Sequence, residues 1–199
     1  MTGSRTYSSP LRAEQAAATR DRVVDAAIDL LQEADPGGFG MQDVADRAGV
    51  ALRTVYRAFP TKDDLLEGVL AAIKARFDTI AGAPPTTRAE LDASVAGAVR
   101  AVHELEPLYR ALFATNAGRT AHQSGATTRR RTFETAFADE LAGLPDDRAR
   151  QIVSMLHLVA SAPSVLWLKD YAGLDAHEAS EAIGWTIAAI ADAARREER

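Results

Sequence analysis

Residues 48–66, "AGVALRTVYRAFPTKDDLL", carry Arg53, Thr54, Tyr56 and Arg57 on a stretch only two helical turns long. Gly49 lies before it and Pro60 after it. Gly49 suits the left-handed residue of a tight turn, and Pro60 cannot continue a helix. The spacing predicts a short helix over 52–59, with Val55 and Phe59 turned inward and the donors turned outward. On the near side, 41–48 reads as another short helix with Val44 and Ala45 buried. On the far side, Thr61 and Asp64 form a near capping box that starts a longer helix through Leu65, Leu66, Val69, Leu70, Ile73 and Phe77. Two short helices joined by a Gly-containing turn and backed by a longer one are the sequence form of a helix-turn-helix. The second short helix of that motif enters the major groove by its amino-terminal end.

Working outward, helical periodicity covers the rest of the chain. Val23, Val24, Ala27, Ile28, Leu30 and Leu31 repeat at helical spacing from about Thr19, a suitable N-cap, and "ADPGGFG" ends that helix. The first residues, with Gly3, Ser8, Ser9 and Pro10 beside Arg5 and Arg12, read as a flexible polar arm over 1–18. Those two arginines suit either a minor-groove arm or a disordered tail. The paired prolines of "AGAPPTTRAE" break the chain near 81. Beyond them five helices are expected: one capped by Thr87 and Glu90, "PLYRALFATNA" closed by Gly118, one over 127–141, a long one from Asp146 to about Tyr171 bent near Pro163, and one capped by Asp175 and Glu178. "GRTAHQSGA" reads as a loop. No segment alternates as a strand does, so the fold class is all-α with about nine helices. The domains are 19–80, with the helix-turn-helix, and 81–199.

Composition narrows the function. The 199 residues include no cysteine, which removes disulfides, thiolate metal sites and a Cys nucleophile. No stretch offers the roughly 18 consecutive apolar residues of a membrane span, and residues 1–22 lack a signal-peptide core, so a cytoplasmic protein is expected. The net charge of −5 argues against coating nucleic acid with the whole surface. Residues 1–76 are near neutrality, with ten Lys and Arg against eleven Asp and Glu, so DNA contact must come from placement. His103, His122 and His157 fall on separate elements with no metal-ligand spacing, and Ser154, Ser161 and Ser164 have no glycine elbow. No catalytic residue, metal or cofactor is therefore expected. "TTRRRTFE" points Arg129, Arg130 and Arg131 in three directions and reads as a solvated or interface run rather than an anion site.

"RDRVVDAAIDLLQEADPGGFGMQDVADRAGV" and "TVYRAFPTKDDLL" together resemble the DNA-binding domain of the TetR (tetracycline repressor) family of transcriptional regulators over about residues 19–77. The resemblance implies phosphate contacts by Tyr56, Lys62 and the helix start near Gln42, and base or backbone contacts by Arg53, Thr54 and Arg57. Arg can also bond guanine bidentately, and Thr can touch a thymine methyl. Ala51 departs from the Ser more common at the family's recognition-helix cap, and Arg53 exceeds the small residue common at its position. The resemblance further implies an effector pocket and a homodimer. For the pocket the sequence offers Tyr109, Phe113, Phe133, Phe137, Met155 and Trp167, with His103, Asn116 and His157 as polar anchors; this composition favours a largely apolar ligand. For the dimer it offers Leu166, Ile183, Gly184, Ile187 and Ile190. The expected protein is a non-enzymatic repressor released from a palindromic operator by a small molecule. A helical carrier or enzyme with a vestigial motif, or a DNA-binding scaffold answering to a protein partner, also fits the sequence.

Overall fold

The computed structural model describes residues 10–33 and 39–197. Among these, twelve α-helices and one 3-10 turn are present and no strand. They divide into two compact units: the described residues up to Ile73 with Ala111–Arg119, and Lys74–Arg110 with Thr120–Arg199. The sequence had suggested a boundary at 80–81.

In the first unit, α1 (Pro10–Glu33) packs on α2 (Met41–Ala48) and α3 (Leu52–Ala58). Helix α4 (Lys62–Ala81) begins in this unit. α1 starts nine residues before the expected Thr19, so residues 10–18 are helical; the arm's residues 1–9 lie outside the described residues, as do 34–38 of "ADPGGFG". Pro10 fits a first turn because its φ is pre-set and its missing N–H is not needed there. The Ala-rich segment behind it favours helix without burying anything. Thr19 is mid-helix, its hydroxyl donating to the Gln15 carbonyl at 2.8 Å.

Local chemistry sets the helix-turn-helix turns. The Asp43 carboxylate accepts the Gly40 N–H at 2.7 Å and opens α2. Gly49 ends it at φ 64°, with no atom within 4 Å of where a Cβ would stand, so its backbone angle and not crowding calls for glycine. A residue with a side chain there costs about 1–2 kcal/mol. α3 opens on Ala51 without a side-chain cap. It stops at Phe59, whose extended backbone is what a residue before proline adopts. At the head of α4, Thr61 N–H donates to Asp64 at 2.9 Å and Asp64 N–H to Thr61 Oγ1 at 3.1 Å, the expected box.

The core of this unit joins Ile28 of α1, Val44 of α2, Val55 and Phe59 around α3, and Leu65 and Val69 of α4, each at most 1% exposed. α6 (Glu106–Ala114) and α7 (Asn116–Ser124) bring 111–119 to it. Gly118, expected to close a helix before a loop, lies in the first turn of α7. Its N–H donates to Thr115 Oγ1 at 2.9 Å, and a Cβ would come within 2.1 Å of the Leu112 carbonyl. Close backbone approach, not chain termination, is the reason for glycine here.

In the second unit, the 3-10 turn Arg88–Glu90 leads into α5 (Leu91–Glu104). Glu90 is bonded by the N–H of Thr86 at 2.9 Å, and the expected partner Thr87 contributes more weakly beside it. The helix expected over 127–141 is two, α8 (Ala126–Ala136) and α9 (Ala138–Leu141), broken at fully buried Phe137. The long apolar helix is also two, α10 (Asp146–Val159) and α11 (Ala162–Ala172), bent by 52°. Ser161 caps α11, accepting from Ser164 N–H, and Pro163 lacks the N–H that would continue α10. α12 (Ala176–Glu197) opens on Asp175, which accepts from the N–H groups of His177 and Glu178 at 2.8 and 2.9 Å. α5 packs on α11 and α12, and α10 on α8 and α12. No single helix among the described residues is long and apolar enough to cross a membrane.

Candidate nucleic-acid interface

α3 has two chemically distinct faces. Val55 and Phe59 are fully buried, while Arg53 and Arg57 are exposed, Tyr56 is 47% exposed and Thr54 is half-buried beside them. At its amino end Ala51 is exposed, and its carbonyl accepts Thr54 N–H at 2.7 Å. The opposite end is held by Arg20 of α1, which donates to the Ala58 carbonyl at 2.5 Å and lays its guanidinium 3.8 Å above the Phe59 ring. A short helix too small to persist alone is thus fixed by its buried face and by this cation, and shows its donors to solvent.

Around α3, Gln42 is exposed in the first turn of α2, its amide donating to Asp46 at 2.8 Å. Lys62 donates to the Phe39 carbonyl at 2.5 Å with its ammonium 5.0 Å from the Phe39 ring. Lys62 therefore ties the start of α4 to the segment before α2, a role that the sequence did not suggest. An ammonium has three donors, so this bond does not use up its capacity for a phosphate.

A turn fixed by left-handed Gly49, a second helix with an apolar back and a cationic, hydroxyl-bearing front, and a capped third helix make a helix-turn-helix. The same residues match a known family: the description "Bacterial regulatory proteins, tetR family" covers residues 23–69. Over those residues the chain carries a TetR-family DNA-binding domain. Two curated relatives are HTH-type transcriptional repressors KstR. That of Mycobacterium tuberculosis is 36% identical over 86 residues, 40% of this chain and 39% of the relative. That of Rhodococcus jostii is 39% identical over 66 residues, 33% and 31% respectively. The chain thus spans about a third to two fifths of the length of the curated relatives it matches. A TetR-family regulator from Streptomyces coelicolor shares the fold at TM-score 0.68 and 19% identity, covering 92% of this chain and 88% of its own. NalD, the secondary repressor of the MexAB-OprM multidrug efflux pump in Pseudomonas aeruginosa, does so at 0.67 and 20%, covering 88% and 96%.

Outside the TetR domain, the residues expected to bind a ligand divide between the two units. Phe113 and Asn116 belong to the first unit, where Asn116 accepts from the Arg119 guanidinium. In the second unit Phe133 and Phe137 are buried, their ring centroids 6.5 Å apart, and belong to the core. Met155 and Trp167 are half exposed, and Trp167 stacks on Tyr171 at 5.5 Å. His103 is half-buried with an Nε2 that meets no hydrogen-bond partner among the described residues. His157 meets Arg129, which the sequence reading had assigned to a solvated or interface run, and the charge of Arg129 reaches the Tyr109 phenol. Arg129 Nε donates to His157 Nε2 at 3.1 Å. Burial, aided by Arg129 and Arg130, holds the His157 imidazole below its usual range. Burial pushes the Tyr109 phenol up to about 12, with the Arg129 charge opposing the rise and Asp78 adding to it. Burial also lowers the Arg129 guanidinium.

Three of the residues expected at a dimer interface are instead core. Ile183 and Ile187 are 1 and 0% exposed because α12 turns them onto α5 and α10, and Leu166 of α11, which packs on α5 and α12, is 7% exposed. Gly184 and Ile190 are half-buried. Among the described residues of the second unit, the large apolar side chains left outside are Trp185 of α12, Trp167 and Tyr171 of α11, and Met155 and Leu158 of α10.

Proposed function

We propose that the protein is a homodimeric transcriptional repressor that reads a palindromic operator in double-stranded DNA and releases it on binding a small molecule. The observation that carries this reading is the outward row Arg53, Tyr56 and Arg57 on a helix whose back is locked by Val55 and Phe59. Arg53 addresses a base edge, and Thr54 and Arg57 a base or the backbone. Tyr56, Lys62 and the amides at the starts of α2 and α3, near Gln42 and Ala51, address phosphates. One recognition helix makes too few base contacts for useful specificity. Two, set about 34–36 Å apart by a dimer, double them. The exposed Trp185, Trp167, Tyr171, Met155 and Leu158 supply an apolar surface for that dimer. The ligand acts by changing the separation of the two recognition helices, because a spacing wrong by a few ångströms cannot serve both half-sites. The protein works in the cytoplasm and carries out no catalysis.

Selection from random duplex DNA at near-physiological salt tests this, with retained fragments sequenced. A palindrome is the expected product. Against it, Arg53→Ala is expected to lose about 10- to 100-fold in affinity and to relax one position in each half-site, as removal of an arginine–guanine pair does. Tyr56→Ala is expected to weaken all sequences alike. If both variants bind the selected duplex as the parent does, α3 is not the reading helix.

A further inference from the structure

The last four carbonyls of a helix have no N–H of the same helix to accept from, and α3 is only seven residues long. One of these carbonyls, that of Ala58, accepts from Arg20 of α1 at 2.5 Å, while the Cζ of the same guanidinium stands 3.8 Å from the centroid of the Phe59 ring. We propose that Arg20 is a positioning residue for base readout. It fixes the angle at which α3 presents Arg53, Thr54 and Arg57, and so sets how well one DNA sequence is told from another, without itself touching DNA. This rests on the repressor reading above and assigns the discrimination in part to a side chain on a different helix.

Val55 and Phe59 lie one turn apart on a single line of α3. Apolar burial has no direction, so these two set the depth of α3 but not its roll or tilt. Arg20 supplies the missing direction. A guanidinium stacks by its face and donates by its edge, so one rigid group grips a ring and a carbonyl on adjacent residues. Both sides of that grip are themselves fixed: Phe59 is fully buried, and so is Val23, one turn after Arg20 on α1. The amino end of α3 has no matching hold, since Ala51 supplies no side-chain cap. That is the end from which bases are read. A helix of this length spans about 10 Å, so a tilt of about 10° around its held end displaces the reading end by about 2 Å. Productive recognition geometry tolerates only about 0.5 Å.

The test compares the full chain with Arg20→Gln, Arg20→Lys and Arg22→Gln, each first checked for folding by circular dichroism. Affinities are measured over a salt series for the duplex that the parent selects and for a random duplex of equal length. Arg20→Gln is expected to lose about tenfold on the selected duplex and less than about twofold on the random one, with the salt slope on the random duplex unchanged. Arg20→Lys keeps the charge and a donor but has no planar face, and should fall between Arg20→Gln and the parent. Arg22→Gln removes the same charge from an exposed position two residues away and should keep the parent's ratio between the two duplexes. Equal losses by Arg20→Gln on both duplexes overturn the proposal: with a salt slope smaller by about one they mark a phosphate contact, and with the slope unchanged a loss of folded chain. An Arg22→Gln variant that loses as much of the ratio as Arg20→Gln overturns it too, because charge alone is then the cause. A parent that selects a sequence, with an Arg20→Gln variant that keeps the parent's ratio, defeats this inference alone. A parent that enriches no sequence defeats the repressor reading, and this inference with it.

Discussion

Replacing Phe59 by alanine is expected to destabilise the first unit by about 3–5 kcal/mol and to abolish DNA binding with it. The ring is fully buried behind α3, and a Cβ on Gly68 of α4 would stand 2.7 Å from its Cε1. α4 therefore already lies as close to the ring as backbone allows on that side. Removing the ring leaves a cavity, and the Arg20 guanidinium loses the face on which it rests. Since Arg20 also holds the last turn of α3 through the Ala58 carbonyl, the recognition helix loses two supports in one substitution. Urea denaturation followed by circular dichroism measures the loss. Phe59→Leu, which keeps most of the volume, should cost less than half as much. A cost below about 1 kcal/mol for the alanine variant would show that α3 is held by something other than this ring.

The second large effect is expected from Arg195→Ala, at about 3 kcal/mol. Glu140 of α9 is 4% exposed and takes a hydrogen bond from Arg195 of α12 at 2.6 Å. The arginine itself is half exposed, so the Coulomb attraction is diluted by water; the cost comes from the carboxylate left buried without its partner. Two comparisons isolate that cause. Arg148→Ala removes an equally formal pair, with Glu197, in which both side chains are well exposed, and should change stability by at most about 1 kcal/mol. The double variant Glu140→Leu with Arg195→Ala removes both charges and should recover most of the loss. A double variant as unstable as the single one would show that Arg195 acts through packing and not through Glu140.

The parts legible in the sequence were those fixed by contacts a few residues apart. Gly49, Pro60, the Thr61–Asp64 box and the Asp175–Glu178 pair each act within one turn, and each stands where the pattern put it. Local reach also explains the errors. Gly118 looked like a terminator because its reason, the Leu112 carbonyl 2.1 Å from a would-be Cβ, concerns backbone packing that a linear pattern does not display. Ile183 and Ile187 looked like a partner surface because helical spacing identifies an apolar face without saying what it meets. The tertiary fold gives that face to α5 and α10 and leaves Trp185 outside. Arg129 was lost among three like neighbours, since only the position of α10 and its His157 decides which of them turns inward.

The early start of α1 has a kinetic side. Residues 12–18 are exposed on every face of the helix, whereas Val23, Ala27 and Ile28 are at most 1% exposed. A free-standing segment of that length is marginal in water, so its hydrogen bonds break and re-form without disturbing the core below. Its amides should exchange with deuterated solvent at nearly the rate of an open chain, while those around Ile28 wait for the whole unit to unfold. α1 is one helix in shape and two in lifetime, with the change falling near Arg20, where the first contact with α3 is made.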